Sequence, residues 1–202
     1  MARVFVCGLI ALLAYPLVAF GQVGTSAQSA EPFKLGTFLA GTSRSVGLVL
    51  RDRFVVDLAA ANAAMESTKK FPRRPMPADM VDVIAEYENG LKGRLYAIVN
   101  EIVQSNALAG TRPPYVRELT QVRTLAPIPR PRMIMNTAVN FYSHIAENAA
   151  PEPRAKAIAE RKANRGVPYM FLKAPSSVIG TGETILIPYG RTELDWEVEL
   201  AT

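Results

Sequence analysis

Pro127, Pro129 and Pro131 alternate with Ile128 and Arg130, and this spacing constrains the fold more than any other stretch of the chain. Each proline ring holds φ at about −65° and removes a backbone donor. Each residue before a proline is pushed towards extended backbone by the ring that follows. The stretch therefore reads as a stiff connector that neither a helix nor a central strand can cross. It divides the chain into a module over residues 33–126 and a second region over residues 127–202.

The 202 residues leave room for one large domain or two small ones. With 49% apolar and 20% charged residues, a globular chain is expected rather than a disordered one. Arg3 precedes an unbroken apolar run over residues 4–20, with small residues at Ala19 and Gly21. This pattern predicts a secretory signal over residues 1–21, then a flexible Ser-, Ala-, Gly- and Gln-rich leader over 22–32. An uncleaved anchor is the alternative, although the run is short against the roughly 20 apolar residues that span a bilayer. The expected location is secreted or periplasmic, with no membrane contact after cleavage. Cys7, the single cysteine, lies in that run, so the mature chain would hold no disulfide and no thiolate site. Without Arg3 there remain 22 Lys+Arg against 18 Asp+Glu, a net charge of +4. These basic residues are scattered and not interleaved with aromatics, which argues against a nucleic-acid partner.

Short strands are predicted over residues 34–40, 45–50 and 54–58, the last two joined through Arg51-Asp52-Arg53 as a hairpin. An Ala-rich helix over 57–64 and a Pro- and Arg-rich loop over 71–77 follow. Met80, Val83, Ile84 and Tyr87 repeat with helical spacing, predicting an apolar helix face that stops at Asn89-Gly90. A second helix over 91–106 sets Leu91, Leu95, Ile98, Val99 and Ile102 on one face. Together these make a small N-terminal α+β module.

Beyond the connector, residues 133–135, 169–172 and 184–187 read as strands. One helix starts near Tyr142, and a second, solvent-exposed one covers residues 153–165. The stretch Leu194-Asp195-Trp196-Glu197-Val198-Glu199-Leu200 alternates apolar and acidic side chains. As a strand it sets Asp195, Glu197 and Glu199 on one face and the apolar residues on the other. Carboxylates in such a row repel unless a hard, oxygen-bound cation lies between them. A solvated acidic face on an edge strand is the alternative.

His144 is the only histidine, and Glu147 follows three positions later. On a helix the two face the same way, so the carboxylate could orient the imidazole for general-base work. A surface histidine beside an incidental glutamate is the plainer reading of so short a motif. Lys173, at a strand end, could hold a carboxylate or phosphate as a point charge.

The order of these blocks resembles the fumarylacetoacetate hydrolase family. The blocks are Pro127-Ile128-Pro129-Arg130-Pro131-Arg132, then Asn140-Phe141-Tyr142-Ser143-His144-Ile145-Ala146-Glu147. They continue with Phe171-Leu172-Lys173-Ala174-Pro175-Ser176-Ser177 and end with Asp195-Trp196-Glu197-Val198-Glu199-Leu200-Ala201. The resemblance covers the chain from about Lys34 onward. It implies an α+β fold in which the N-terminal module precedes an incomplete mixed β-roll of the fumarylacetoacetase C-terminal type. It implies that His144 and Glu147 form a catalytic dyad on a lid, that Lys173 lines the pocket, and that Glu197 and Glu199 bind Mg²⁺, Mn²⁺ or Ca²⁺. Asp195 falls at a position that the family does not generally use as a ligand.

The implied activity is metal-dependent hydrolysis of a carbon–carbon bond in a 1,3-dicarbonyl or acylpyruvate-type 2-oxo acid. The alternatives are an isomerase, a hydratase or a 2-oxo acid decarboxylase on the same scaffold, or a non-catalytic binding protein. Ala138 replaces a common glycine, Phe141 replaces the usual tyrosine, and the insertion over 149–167 would sit beside the lid. The family's third carboxylate ligand and a further lysine would fall after Thr202, so a fragment is expected, inactive alone and homodimeric when complete.

Overall fold

The computed structural model describes residues 24–164, 166–195 and 199. β1 (Phe33–Ala40), β2 (Ser43–Leu50) and β3 (Phe54–Asp57) form an antiparallel meander with Leu35 opposite Leu48 and Leu48 opposite Val56. Because side chains alternate, this register sets Leu35, Leu48, Leu50, Phe54 and Val56 on one face. That face meets α1 (Leu58–Ser67), α2 (Met80–Glu86) and α3 (Lys92–Gln104) in one core. Leu91, Leu95, Ile98, Val99 and Ile102, the predicted apolar set of the second helix, are all fully buried there.

Local chemistry explains the boundaries. Arg51 and Asp52 take φ of 55° and 52°, the left-handed pair that a tight hairpin turn requires. The Asp57 carboxylate accepts from Ala60 N at 2.9 Å and so caps α1. Asp79 does the same for α2, accepting from Asp82 N at 3.0 Å. On the opposite sheet face, the Phe38 ring lies across the paired Gly36 and Gly47. A Cβ on Gly47 would come within 2.8 Å of Val55 and 3.0 Å of Phe38.

Three sequence expectations for this module change. Ile84 was placed on the buried face of α2 but is 60% exposed, because the short helix buries only Met80 and Val83 before the chain turns at Gly90, φ 91°. Two further strands, β4 (Val116–Glu118) and β5 (Arg123–Leu125), complete a sheet of order β4-β3-β2-β1-β5. At three residues each they are too short to show alternation; the open edges of the meander select them. The expected leader, where described, is tied to α3. Ser26 N donates to Gly93 O at 2.9 Å, and the Asn100 side chain bonds Ala30 N, Gln28 O and Ser26 Oγ.

The prolines adopt no regular structure. They are tethered to β1 instead, where buried Thr37 donates through Oγ1 to Pro127 O at 2.7 Å. Beyond them β6 (Ile134–Thr137) and β7 (Met170–Lys173) form a two-stranded antiparallel ladder, with the exposed α4 (Pro151–Ala163) inserted between them. The protein is therefore α+β, an N-terminal α/β region followed by an unclosed β arrangement.

Two expectations fail in this region. The helix predicted near Tyr142 is a single 3₁₀ turn, Tyr142–His144, ended by Ala146 at φ 45°. Residues 184–187 form no strand, since no described strand lies beside them to pair; Ile185, Leu186 and Ile187 are 61%, 83% and 51% exposed. Leu194 and Asp195 are likewise non-strand, whereas the expected strand positions Trp196, Glu197, Val198 and Leu200 lie outside the described residues. Among the described residues no helix is long and apolar enough to cross a membrane.

Candidate active site

The β6–β7 register builds the site. Ile134 pairs with Lys173 and Asn136 with Phe171, so these four side chains share one face of the ladder. Lys173, as the last residue of β7, stands on the same face as Asn136, with Nζ 5.9 Å from the Phe171 ring centre. Asn136 is 9% exposed, and its Nδ2 donates to Glu199 Oε2 at 2.6 Å. One predicted carboxylate is thus fixed against the ladder by an amide that sequence reasoning passed over. The available signal is a lone amide directly after the apolar Met133-Ile134-Met135.

The dyad follows directly from β6. Ala138 N donates to Tyr169 O at 2.9 Å, extending the ladder by one rung. Val139 then takes φ 50°, which turns the chain out of the sheet. In the turn that follows, His144 Nδ1 lies 3.0 Å from Glu147 Oε2. The i,i+3 pairing predicted from helix geometry is therefore present without a helix; Ala146 in the left-handed region folds the carboxylate back. Both side chains are about half exposed, at 45% and 50%.

The insertion clasps this turn from outside. Arg154 on α4 donates through Nη2 to Ser143 O, and Lys162 Nζ lies 5.1 Å from the Tyr142 ring centre. A cavity of about 350 Å³ opens beneath the same turn, lined by Thr137, Asn140, Tyr142 and Arg161 among others. Thr137 points to the face of β6 opposite Asn136, and neither Asn136 nor Glu199 lines this cavity. Neither His144 nor Lys173 lines it. Among the described residues no group of three or more His, Cys, Asp or Glu side chains is placed to hold a metal ion. The metal-binding and magnesium expectation accordingly draws no support from the described side chains, while Glu197 lies outside them.

Residues 133–202 match the family described as fumarylacetoacetate (FAA) hydrolase C-terminal. The match supports membership of a catalytic family of FAA-hydrolase type and fits the incomplete β arrangement. Among similar proteins, the mitochondrial oxaloacetate tautomerase FAHD2A of Homo sapiens is 32% identical over 99 residues, covering 49% of this chain and 27% of that protein. Its Bos taurus counterpart is 29% identical over 126 residues, covering 62% of this chain and 32% of that protein. A maleylpyruvate hydrolase of Aquipseudomonas alcaligenes is 32% identical over 83 residues, 41% of this chain and 29% of that protein. The chain thus spans about a third or less of the length of these relatives.

These relatives correct two expectations. Oxaloacetate tautomerase names predominate among them, which overturns hydrolysis of a carbon–carbon bond as the leading reading in favour of the isomerase alternative. The same proteins are mitochondrial by name, which overturns the expected secreted or periplasmic location. The reading of residues 1–21 as a secretory signal is left without support, and residues 1–23 lie outside the described chain.

Proposed function

We propose that the complete protein is a tautomerase of 2-oxo acids, interconverting the keto and enol forms of a substrate of the oxaloacetate type. Such a reaction moves one proton between a carbon flanked by carbonyl groups and the neighbouring carbonyl oxygen. It needs a base that can also return the proton, and the observation that carries the reading is the His144–Glu147 pair at 3.0 Å. With Nδ1–H donated to the carboxylate, Nε2 carries the lone pair and takes the carbon-bound proton. Glu147 stabilises the imidazolium that results, which then gives the proton to oxygen. Lys173 holds a substrate carboxylate as a point charge.

Glu197 and Glu199 are the oxygen ligands proposed for Mg²⁺ (or Mn²⁺ or Ca²⁺), which when bound would polarise a substrate carbonyl as a Lewis acid. Glu199 suits a hard cation in donor type, and the Asn136 amide occupies only one of its carboxylate's acceptor positions. The names of the similar tautomerases support the reading from outside the chain.

The test is full-length His144→Ala assayed for oxaloacetate tautomerisation by the ultraviolet absorbance of the enol. Turnover is expected to fall by roughly 10² to 10⁴, the range of a lost general base. Cleavage of an acylpyruvate or release of carbon dioxide from oxaloacetate, with tautomerisation absent, would overturn the proposal. Unchanged tautomerisation in His144→Ala would remove His144 from the chemistry.

A further inference from the structure

We infer that the N-terminal module carries an oxyanion-binding site, remote in sequence from the dyad and built around Arg94. A cavity of about 660 Å³ opens between α1, the loop after it and α3. Lys69, Arg73, Arg74 and Arg94 line it, with Glu66 as the one acidic lining residue.

Arg94 is 2% exposed. Its Nη2 donates to Pro72 O at 2.6 Å, and its guanidinium carbon stands 4.8 Å from the centre of the Phe71 ring. Among the described residues Nε and Nη1 of Arg94 have no hydrogen-bond partner, and neither has Nε of Arg74. Buried guanidinium nitrogens without acceptors are strongly unfavourable unless an anion meets them.

Glu66 offsets part of this charge, since its carboxylate and the Arg94 guanidinium attract each other across the cavity. One Glu66 oxygen, Oε1, accepts from both Arg74 N and Asn62 Nδ2, and Glu86 takes Arg74 Nη2 at 3.2 Å. Four cations against one carboxylate leave the lining with an excess of positive charge, which an anion from solution would meet. A planar guanidinium fork with further cations beside it selects phosphoryl or carboxylate oxygens.

The test titrates the full chain with inorganic phosphate or with malonate, against chloride at matched ionic strength. Melting temperature and the Nε–H resonance of Arg94 are the readouts. A specific anion should raise the melting temperature with the logarithm of its concentration and move that resonance. Phosphate acting alone marks a phosphoryl ligand, and malonate acting alone a carboxylate. Arg94→Gln should weaken the effect by about tenfold or more, the order of a lost charge-assisted bond. Should Arg94→Gln fail to fold, Lys69→Gln with Arg73→Gln, both exposed positions, should weaken it similarly. A wild-type response no larger than that to chloride, or one retained in the variants, would overturn the site.

Discussion

Asn136 Nδ2 donates to Glu199 Oε2 at 2.6 Å, joining residues 63 positions apart. The amide sits nearly buried on β6 and fixes the carboxylate on the face that also carries Lys173. Ligating carboxylates are commonly oriented by such partners, whose loss typically weakens metal binding 10- to 100-fold. Asn136→Ala is therefore expected to lower Mg²⁺ affinity by about that factor in the complete protein, read by calorimetric titration. Glu197→Gln should cut it sharply, and Asp195→Asn much less. Equal losses from all three would disprove the assignment.

Glu147 acts on substrate only through His144, so its removal should cost less than removal of the imidazole. Glu147→Gln keeps a hydrogen-bond acceptor and loses the charge that stabilises imidazolium. Its turnover should lie between those of wild type and His144→Ala, with KM little changed. Lys173→Met should show the opposite split, raising KM for a dicarboxylate more than it lowers turnover. Steady-state kinetics on the three variants separates positioning from proton transfer.

Glu118 gives the module a predictable acid sensitivity. Its carboxyl is held below the usual carboxylate range, first by the hydrogen bond from Arg53 and then by the charges of Arg53 and Arg112, with desolvation opposing. A depressed folded value means that the unfolded chain binds the proton first. The stabilisation is thus full above the unfolded value of about 4.3 and lost as pH falls through the lower folded one. The urea midpoint of wild type should drop below about pH 4, and Glu118→Gln should drop less. Identical pH profiles would show that the pair contributes nothing to folding.

Two backbone positions should respond in opposite directions. A Cβ on Gly180 would stand 3.0 Å from Ala126 N and 3.1 Å from Leu125 Cα, backbone atoms that cannot swing aside. Gly180→Ala should therefore destabilise the chain by about 1–3 kcal/mol, as overpacking does. Val139 is a β-branched residue at φ 50°, a conformation that costs L-residues about 1–2 kcal/mol. Val139→Gly should recover about 1 kcal/mol or less, since glycine also loosens the unfolded chain. Denaturant midpoints read both; a stabilising Gly180→Ala would mean that residues 180–183 do not pack on β5.

The N-terminal module was legible because its information is local. The β2–β3 hairpin through Arg51-Asp52-Arg53 and the apolar set of α3 both follow from short-range patterning. His144 with Glu147 three positions on, and the strand-end Lys173, stand out by residue type and spacing, and the resemblance assigns them their expected roles. What the tertiary structure decided depends on neighbours that no local pattern contains. β4 and β5 exist only because the meander leaves edges to pair. Residues 184–187 carry strand-forming side chains and remain irregular, with no described strand beside them to pair. The dyad closes through a left-handed Ala146 rather than through a helix. Asn136 acquires its role from Glu199, far along the chain, and Arg94 its two unbonded nitrogens from packing against Phe71 and Pro72. Alternation and caps are written within a few residues of sequence, whereas pairing, burial and electrostatic compensation arise only when distant segments meet.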